Sequence, residues 1–115
     1  MVARIFILLL ALFLFKGTSF AQPQKVYSFK HFGISDGLAS YNNNGCVQDS
    51  MGFLWVATIN GLQRYDGCRF TTFRHIEGDT NSLSNNFVTQ LMIDSKNNLW
   101  VTLADGNIGV FDKRR

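Results

Sequence analysis

Two histidines, His31 and His75, are the natural places to look for acid–base or metal chemistry. Neither has a second His or a Cys at the spacing of a metal site. His31 alternates with Tyr27 and Phe29, which reads as a histidine on a strand surface rather than a ligand or base. Asp49, Asp66, Asp94 and Asp112 could be imagined as paired carboxylates for general acid–base work. Each stands where a turn is expected, and Asp in a turn accepts backbone N–H bonds. A nucleophile elbow, a P-loop and a dinucleotide fingerprint are all absent from the sequence. Trp55, Trp100, Tyr65 and Phe111 could stack on sugar rings, but their regular recurrence points to core packing. No catalytic, cofactor-binding or metal residue is therefore assigned, no cofactor is expected, and this chain is not expected to be an enzyme.

The elements that position these residues are organised by a repeat. Asp49-Ser50-Met51-Gly52-Phe53-Leu54-Trp55-Val56 is echoed 45 positions later by Asp94-Ser95-Lys96-Asn97-Asn98-Leu99-Trp100-Val101. Gly61 matches Gly106 at the same offset. Asn107 is then inserted, and Leu62, Tyr65 and Asp66 match Ile108, Phe111 and Asp112. Both tryptophans of the protein fall in register. The repeated framework is thus Asp49, Gly52, Trp55, Gly61 and Tyr65, then Asp94, Trp100, Gly106 and Phe111. A period of this length means stacked supersecondary units.

Each unit reads as short strands joined by tight turns. Residues 53–58 are apolar on both faces, so that strand must be covered on both sides. Asn60-Gly61 and Asp66-Gly67 are hairpin signals. Strands are expected at 62–65 and 69–73, with a short first strand near Cys46-Val47-Gln48, because Asn42-Asn43-Asn44-Gly45 favours a turn. The second unit has its first strand over 87–93, and the match ends at Asp112 after a third strand. Residues 75–83 form a polar connector. Residues 25–32 alternate, with Tyr27, Phe29 and His31 on one face and Val26, Ser28, Lys30 and Phe32 on the other, which predicts a strand. No helical periodicity follows residue 21. Four strands per unit of about 45 residues, marked by a Trp, is the pattern of a β-propeller blade, with a β-sandwich as the runner-up. The fold class is all-β: an incomplete propeller of two blades, the second truncated.

The chain has 115 residues, room for one small domain. Residues 1–21 read as a signal peptide: Arg4, an apolar run over 5–15, and Ser19 and Ala21 flanking a cleavage site before Gln22. Eleven apolar residues span roughly 16 Å against a hydrocarbon core of about 30 Å, which argues against a membrane anchor. The expected address is export to the periplasm. Loss of Arg4 and Lys16 leaves nine basic residues against eight acidic ones. That near-balance, without a clustered basic face, argues against nucleic-acid binding. Cys46 falls on a first strand and Cys68 just before a fourth. Three strand steps put them about 14 Å apart, too far for a disulfide. Both are expected to be free and partly buried.

Phe32-Gly33-Ile34-Ser35-Asp36-Gly37-Leu38, the turn and strand 47–58, Asn60-Gly61-Leu62-Gln63-Arg64-Tyr65-Asp66-Gly67 and the connector Asp79-Thr80-Asn81-Ser82-Leu83-Ser84 together resemble two-component regulator propeller repeats. The resemblance implies a periplasmic sensor region of a hybrid histidine kinase of the Bacteroides type, with an oligosaccharide ligand bound by the full propeller and control of glycan-use genes. It divides the chain into 1–21 signal peptide, 22–36 an outer strand for a last blade not present here, 37–78 blade one and 79–115 blade two. Its implied partners are the missing blades and downstream signalling domains. Asn97-Asn98 in place of Gly-Phe, Leu103 in place of Thr and the inserted Asn107 mark the second unit as a divergent copy. The alternatives are a truncated product without activity of its own, or a fragment of a secreted propeller enzyme such as a lyase. Tyr41, Asn42, Asn43 and Asn44 are loop residues that could meet a ligand, too weakly marked to name as a site.

Overall fold

The computed structural model describes residues 1–14, 17 and 20–114. Ser19, from the expected cleavage motif, and Lys16 lie outside the described residues. The first element is α1 (Val2–Leu14). At 13 residues it spans about 20 Å, and among the described residues no helix is long and apolar enough to cross a membrane.

The remainder is two antiparallel sheets. β1 (Asn43–Gln48), β2 (Leu54–Thr58), β3 (Gly61–Tyr65) and β4 (Phe70–Phe73) form the first, in that order. β5 (Val88–Ile93), β6 (Leu99–Leu103) and β7 (Ile108–Phe111) form the second. Sequential order without crossovers follows from the short turns, which leave each strand no neighbour but the next. The registers superimpose: Trp55 pairs with Val47 and Arg64, and Trp100 with Met92 and Val110. This meander of four and three strands is the blade architecture that the 45-residue echo predicts.

The first strand is longer than the asparagine run suggested. β1 begins at Asn43, with a bulge between Asn43 and Gly45. A bulge sits at the same place in the second sheet, between Val88 and Gln90. An extra residue in a bulge bends the strand and frees a side chain for other work. Asn44 uses that freedom to donate from Nδ2 to the Val88 carbonyl at 2.8 Å, tying the two first strands together. Asn44 is therefore held in the strand by its amide, which bonds across to the neighbouring sheet.

A second correction concerns residues 22–36. Residues 20–33 carry no helix or strand, and Ile34–Asp36 is a single 3-10 turn. The alternation at 25–32 is real, but among the described residues no sheet edge pairs with it. A strand without a partner has no ladder to satisfy its N–H and C=O groups.

The core lies between the sheets. Trp55, Ala57 and Leu62 of the first sheet meet Val88, Leu99, Val101 and Leu103 of the second. Period-two alternation sets this face. The opposite face of the first sheet, with Val56, Thr58 and Gln63, is also buried. Its cover comes from the turn at 33–39, where Leu38 is buried and Phe32 packs against Tyr65 and Phe70, ring centroids 4.9 and 5.6 Å away. The opposite face of the second sheet, bearing Met92, Trp100, Ile108 and Val110, is exposed. The cysteines are free but exposed rather than partly buried. Cys46 shares the alternate face of β1 with its partner Val56, at the edge of the cover given by residues 33–39.

Candidate functional site

The repeated residues converge on one device, found once in each sheet. Asp49 Oδ1 accepts the backbone N–H groups of Met51 and Phe53, at 3.0 and 3.1 Å. Its Oδ2 accepts the Trp55 indole N–H at 2.9 Å. Asp94 does the same with Lys96, Asn98 and Trp100, at 2.9, 2.8 and 2.9 Å. One carboxylate thus caps the turn and fixes the tryptophan six residues on. That explains the Asp-to-Trp spacing. An aromatic core residue with a polar N–H needs a partner when buried, and the turn supplies it.

The turn needs a residue with positive φ at its third step. Gly52 takes φ +88° in the first unit, and Asn97 takes φ +63° in the second. Asn is the residue that tolerates this region best after Gly. The Asn97-Asn98 pair is accordingly more than loss of motif. Asn98 adds a side-chain bond to Asp94 Oδ2 at 2.9 Å, and Asn97 Oδ1 accepts the Ser50 N–H of the other unit at 3.1 Å. The inserted Asn107 lengthens its turn, with Gly106 at φ +86° and the Asn107 N–H donating to Asp105 Oδ1. Asp105 also accepts from Ser84 Oγ at 2.7 Å, which fixes the connector.

Charge follows the same pattern. Burial works against ionisation of Asp49. The Trp55 indole, the Phe53 and Met51 N–H groups and the Lys113 ammonium outweigh it and hold the carboxyl below its usual range. The Trp100 indole, then the Asn98 side chain and N–H, hold Asp94 further below. Lys113 Nζ lies 3.7 Å from Asp49 Oδ2, so the end of the second unit closes an ion pair on the first.

The remaining candidates separate. Tyr65 and Phe111 occupy one register position in the two sheets, opposite Leu54 and Leu99. Tyr65 turns to the Phe32 cluster, while Phe111 packs against Trp55 and Phe73 at 5.7 and 4.9 Å. Asp66 caps its own turn through the Arg69 and Cys68 N–H groups. His75 Nδ1 is 2.7 Å from the Leu83 carbonyl, and so closes the connector on itself. His31 is exposed. Among the described residues no group of three or more His, Cys, Asp or Glu could hold a metal ion. Of the loop residues, Tyr41 is exposed, the Asn42 carbonyl accepts the Ile59 N–H at 3.3 Å, and Asn44 lines an open groove of about 570 Å³ with Cys46, Gln90, Met92 and Trp100.

Two residues did not stand out from the sequence. Gln63 is fully buried. Its Oε1 accepts the Ala39 N–H at 2.8 Å, and its Nε2 donates to the Gly37 carbonyl and Thr72 Oγ1, both at 2.9 Å. It anchors the cover at 33–39. A polar residue on an otherwise apolar strand face was the available signal. Arg64 lays its guanidinium 4.9 Å from the Phe53 ring centre and 5.8 Å from that of Trp55, a cation–π stack inside the interface between sheets.

Comparison with known proteins agrees with this architecture. Residues 82–107 match the model of the two component regulator propeller family. These residues span the end of the connector, β5, β6 and the following turn. A histidine kinase of Formosa agariphila, histidine kinase P4, is 36% identical over 73 residues, covering 64% of this chain and 5% of that protein. The extracellular domain of a putative hybrid two component system from B. thetaiotaomicron superposes with a TM-score of 0.60 at 24% identity, over 70% of this chain and 13% of that one. The chain is thus similar to two component regulator propeller proteins, with the family match confined to residues 82–107, and it spans only a small fraction of the length of these relatives.

Proposed function

We propose that this chain is the first part of an extracytoplasmic sensor propeller of a hybrid histidine kinase. Residues 1–21 direct export and are removed before Gln22. Residues 37–78 and 79–115 are two adjacent blades, and 22–36 becomes an outer strand only where a further blade offers it an edge. Further blades close a ring, which needs at least about four. The ring binds an oligosaccharide through non-repeating loop residues, and a kinase domain elsewhere in the protein carries the chemistry. In this reading the two blades bind and transmit and do not catalyse.

The observation that supports the reading most is the pair of tryptophan faces. Trp55 is sealed by the neighbouring sheet, and Trp100 presents the same face to solvent at 36% exposure. A unit built to be covered on both sides calls for another unit beyond it. The test is genetic. Deleting the gene in its source bacterium should abolish induction of glycan-use genes by one class of oligosaccharide. Unchanged induction by every oligosaccharide tried would contradict the sensor role. N-terminal sequencing of the periplasmic protein should begin at Gln22, and an intact Met1 would contradict the address.

A further inference from the structure

We propose that the junction of the two sheets carries a sugar subsite, with Phe87 as the aromatic platform for one face of a pyranose ring. The inference rests on the sensor reading above and names the end of the propeller that meets the ligand.

The two ends of the sheets differ. Where β1 and β5 finish, Asp49 and Asp94 build one capping device twice, and side chains there serve the turns and the tryptophans. Where β1 and β5 begin, the backbone repeats but the side chains do not. The Ile59 N–H donates to the Asn42 carbonyl at 3.3 Å, and the Ala104 N–H to the Phe87 carbonyl at 3.0 Å. Yet Asn42 is matched by Phe87, Ile59 by Ala104 and Asn60 by Asp105, each at the 45-residue offset. Unlike side chains on a repeated backbone are not needed by the framework, and loop residues so placed are the ones that carry recognition.

The connector brings Phe87 to the first unit. Asn86 accepts the Gly61 N–H on its carbonyl at 2.6 Å and the His75 N–H on Oδ1 at 2.7 Å. Phe87 is the next residue, so it stands between the Asn60-Gly61 turn and the second sheet. It is 41% exposed, whereas Val88, one step on, is fully buried. A missing neighbour does not explain this exposure. Asn42, the counterpart of Phe87 in the unit whose next sheet is present, is exposed as well.

Polar side chains around the junction keep groups unused among the described residues. Arg74 donates from Nε to the Asn60 carbonyl at 3.0 Å, which holds the guanidinium at the turn and leaves both Nη groups free. Asn60 donates from Nδ2 to the Ala39 carbonyl at 3.2 Å and leaves Oδ1 free. Asn42 bonds through its backbone alone, its N–H donating to Ser40 Oγ and its carbonyl accepting from Ile59. A flat apolar ring flanked by amide and guanidinium groups suits a sugar. The C–H face of a pyranose covers the ring, and its hydroxyls both donate and accept.

Induction assays on the full-length gene in its source bacterium test this. Oligosaccharide digests of starch, xylan, pectin and alginate are supplied one at a time, and the wild-type response to the active digest is titrated. Phe87→Ala should raise the half-maximal concentration at least about tenfold and leave the maximal response unchanged. Phe87→Trp should restore the response, since an indole also stacks. Arg74→Gln should shift it in the same direction by a smaller factor. Lys96→Ala, at the opposite end, should not shift it. Immunoblots of the periplasmic fraction check that each variant reaches the wild-type level, and if Phe87→Ala is degraded, Arg74→Gln decides. A response that these two variants leave in place overturns the subsite while the sensor reading stands. A wild-type protein that answers none of the four digests overturns both.

Discussion

Trp55 and Trp100 hold the same position in two sheets with the same register, and each donates to an aspartate six residues earlier at 2.9 Å. Trp55 is fully buried and Trp100 is 36% exposed. Nothing in either unit's own residues makes that difference. It comes from the neighbour: the Leu99, Val101 and Leu103 face of the second sheet covers Trp55. The lesson is that a blade fixes the orientation of its tryptophan, and the next blade supplies the burial. Stability in such an array is a sum of unit and interface terms.

The largest expected effect breaks this comparison directly. Trp55→Ala should cost about 3–5 kcal/mol, the usual range for a large aromatic lost from a core. Trp100→Ala should cost less than about 1 kcal/mol, as for a surface change. Equilibrium urea unfolding reads both. Equal losses would mean that the interface does not set the burial.

A second pair sharpens the contrast at the turns. Gly61 and Gly106 both have positive φ, at +115° and +86°. A Cβ on Gly61 would meet the Phe73 carbonyl oxygen at 2.7 Å, whereas one on Gly106 would meet nothing within 4 Å. Gly106→Ala should cost only backbone strain, about 1–3 kcal/mol. Gly61→Ala should cost more, because a strand backbone must also move. Thermal unfolding of the two variants should therefore separate them in that order.

Much of this was legible in the residues. The 45-residue echo placed the strands, and Asp66-Gly67 marked its turn directly, because period and turn chemistry are local. What was not legible depended on partners. Residues 25–32 have the alternation of a strand, but among the described residues no strand pairs with them. Asn43 and Asn44 read as a turn because the bond from Asn44 to Val88 lies 44 residues away. The open face of Trp100 could not be told from the closed face of Trp55, since the two sequences differ least where their surroundings differ most.

Gln63 marks the outer side of the same contrast, because its amide ties down the cover that the first sheet has and the second lacks. Gln63→Leu leaves the Ala39 N–H and Gly37 carbonyl without partners and should cost about 1–3 kcal/mol. Faster amide exchange confined to residues 37–39 would be its signature. Loss of protection throughout the core would show instead a general packing role.

The smallest effect is on acid stability. Asp49 and Asp94 are both held below the ordinary carboxylate range in the folded chain. Their contribution is present above the unfolded value of about 3.9 and is lost as pH falls through the folded values. Stability should thus be flat from neutral pH down to about 5 and fall below about 4. Asp49→Asn and Asp94→Asn should each flatten that acid limb. An unchanged limb would mean that these carboxylates do not carry it.

The central claim is that the second sheet seals Trp55 and that Trp100 stays open. Tryptophan fluorescence of Trp100→Phe and Trp55→Phe, each leaving one indole, tests it most directly. The protein retaining Trp55 should emit toward the blue and resist quenching by acrylamide. The protein retaining Trp100 should emit toward the red and quench readily. Matching spectra and equal quenching from the two would contradict the account.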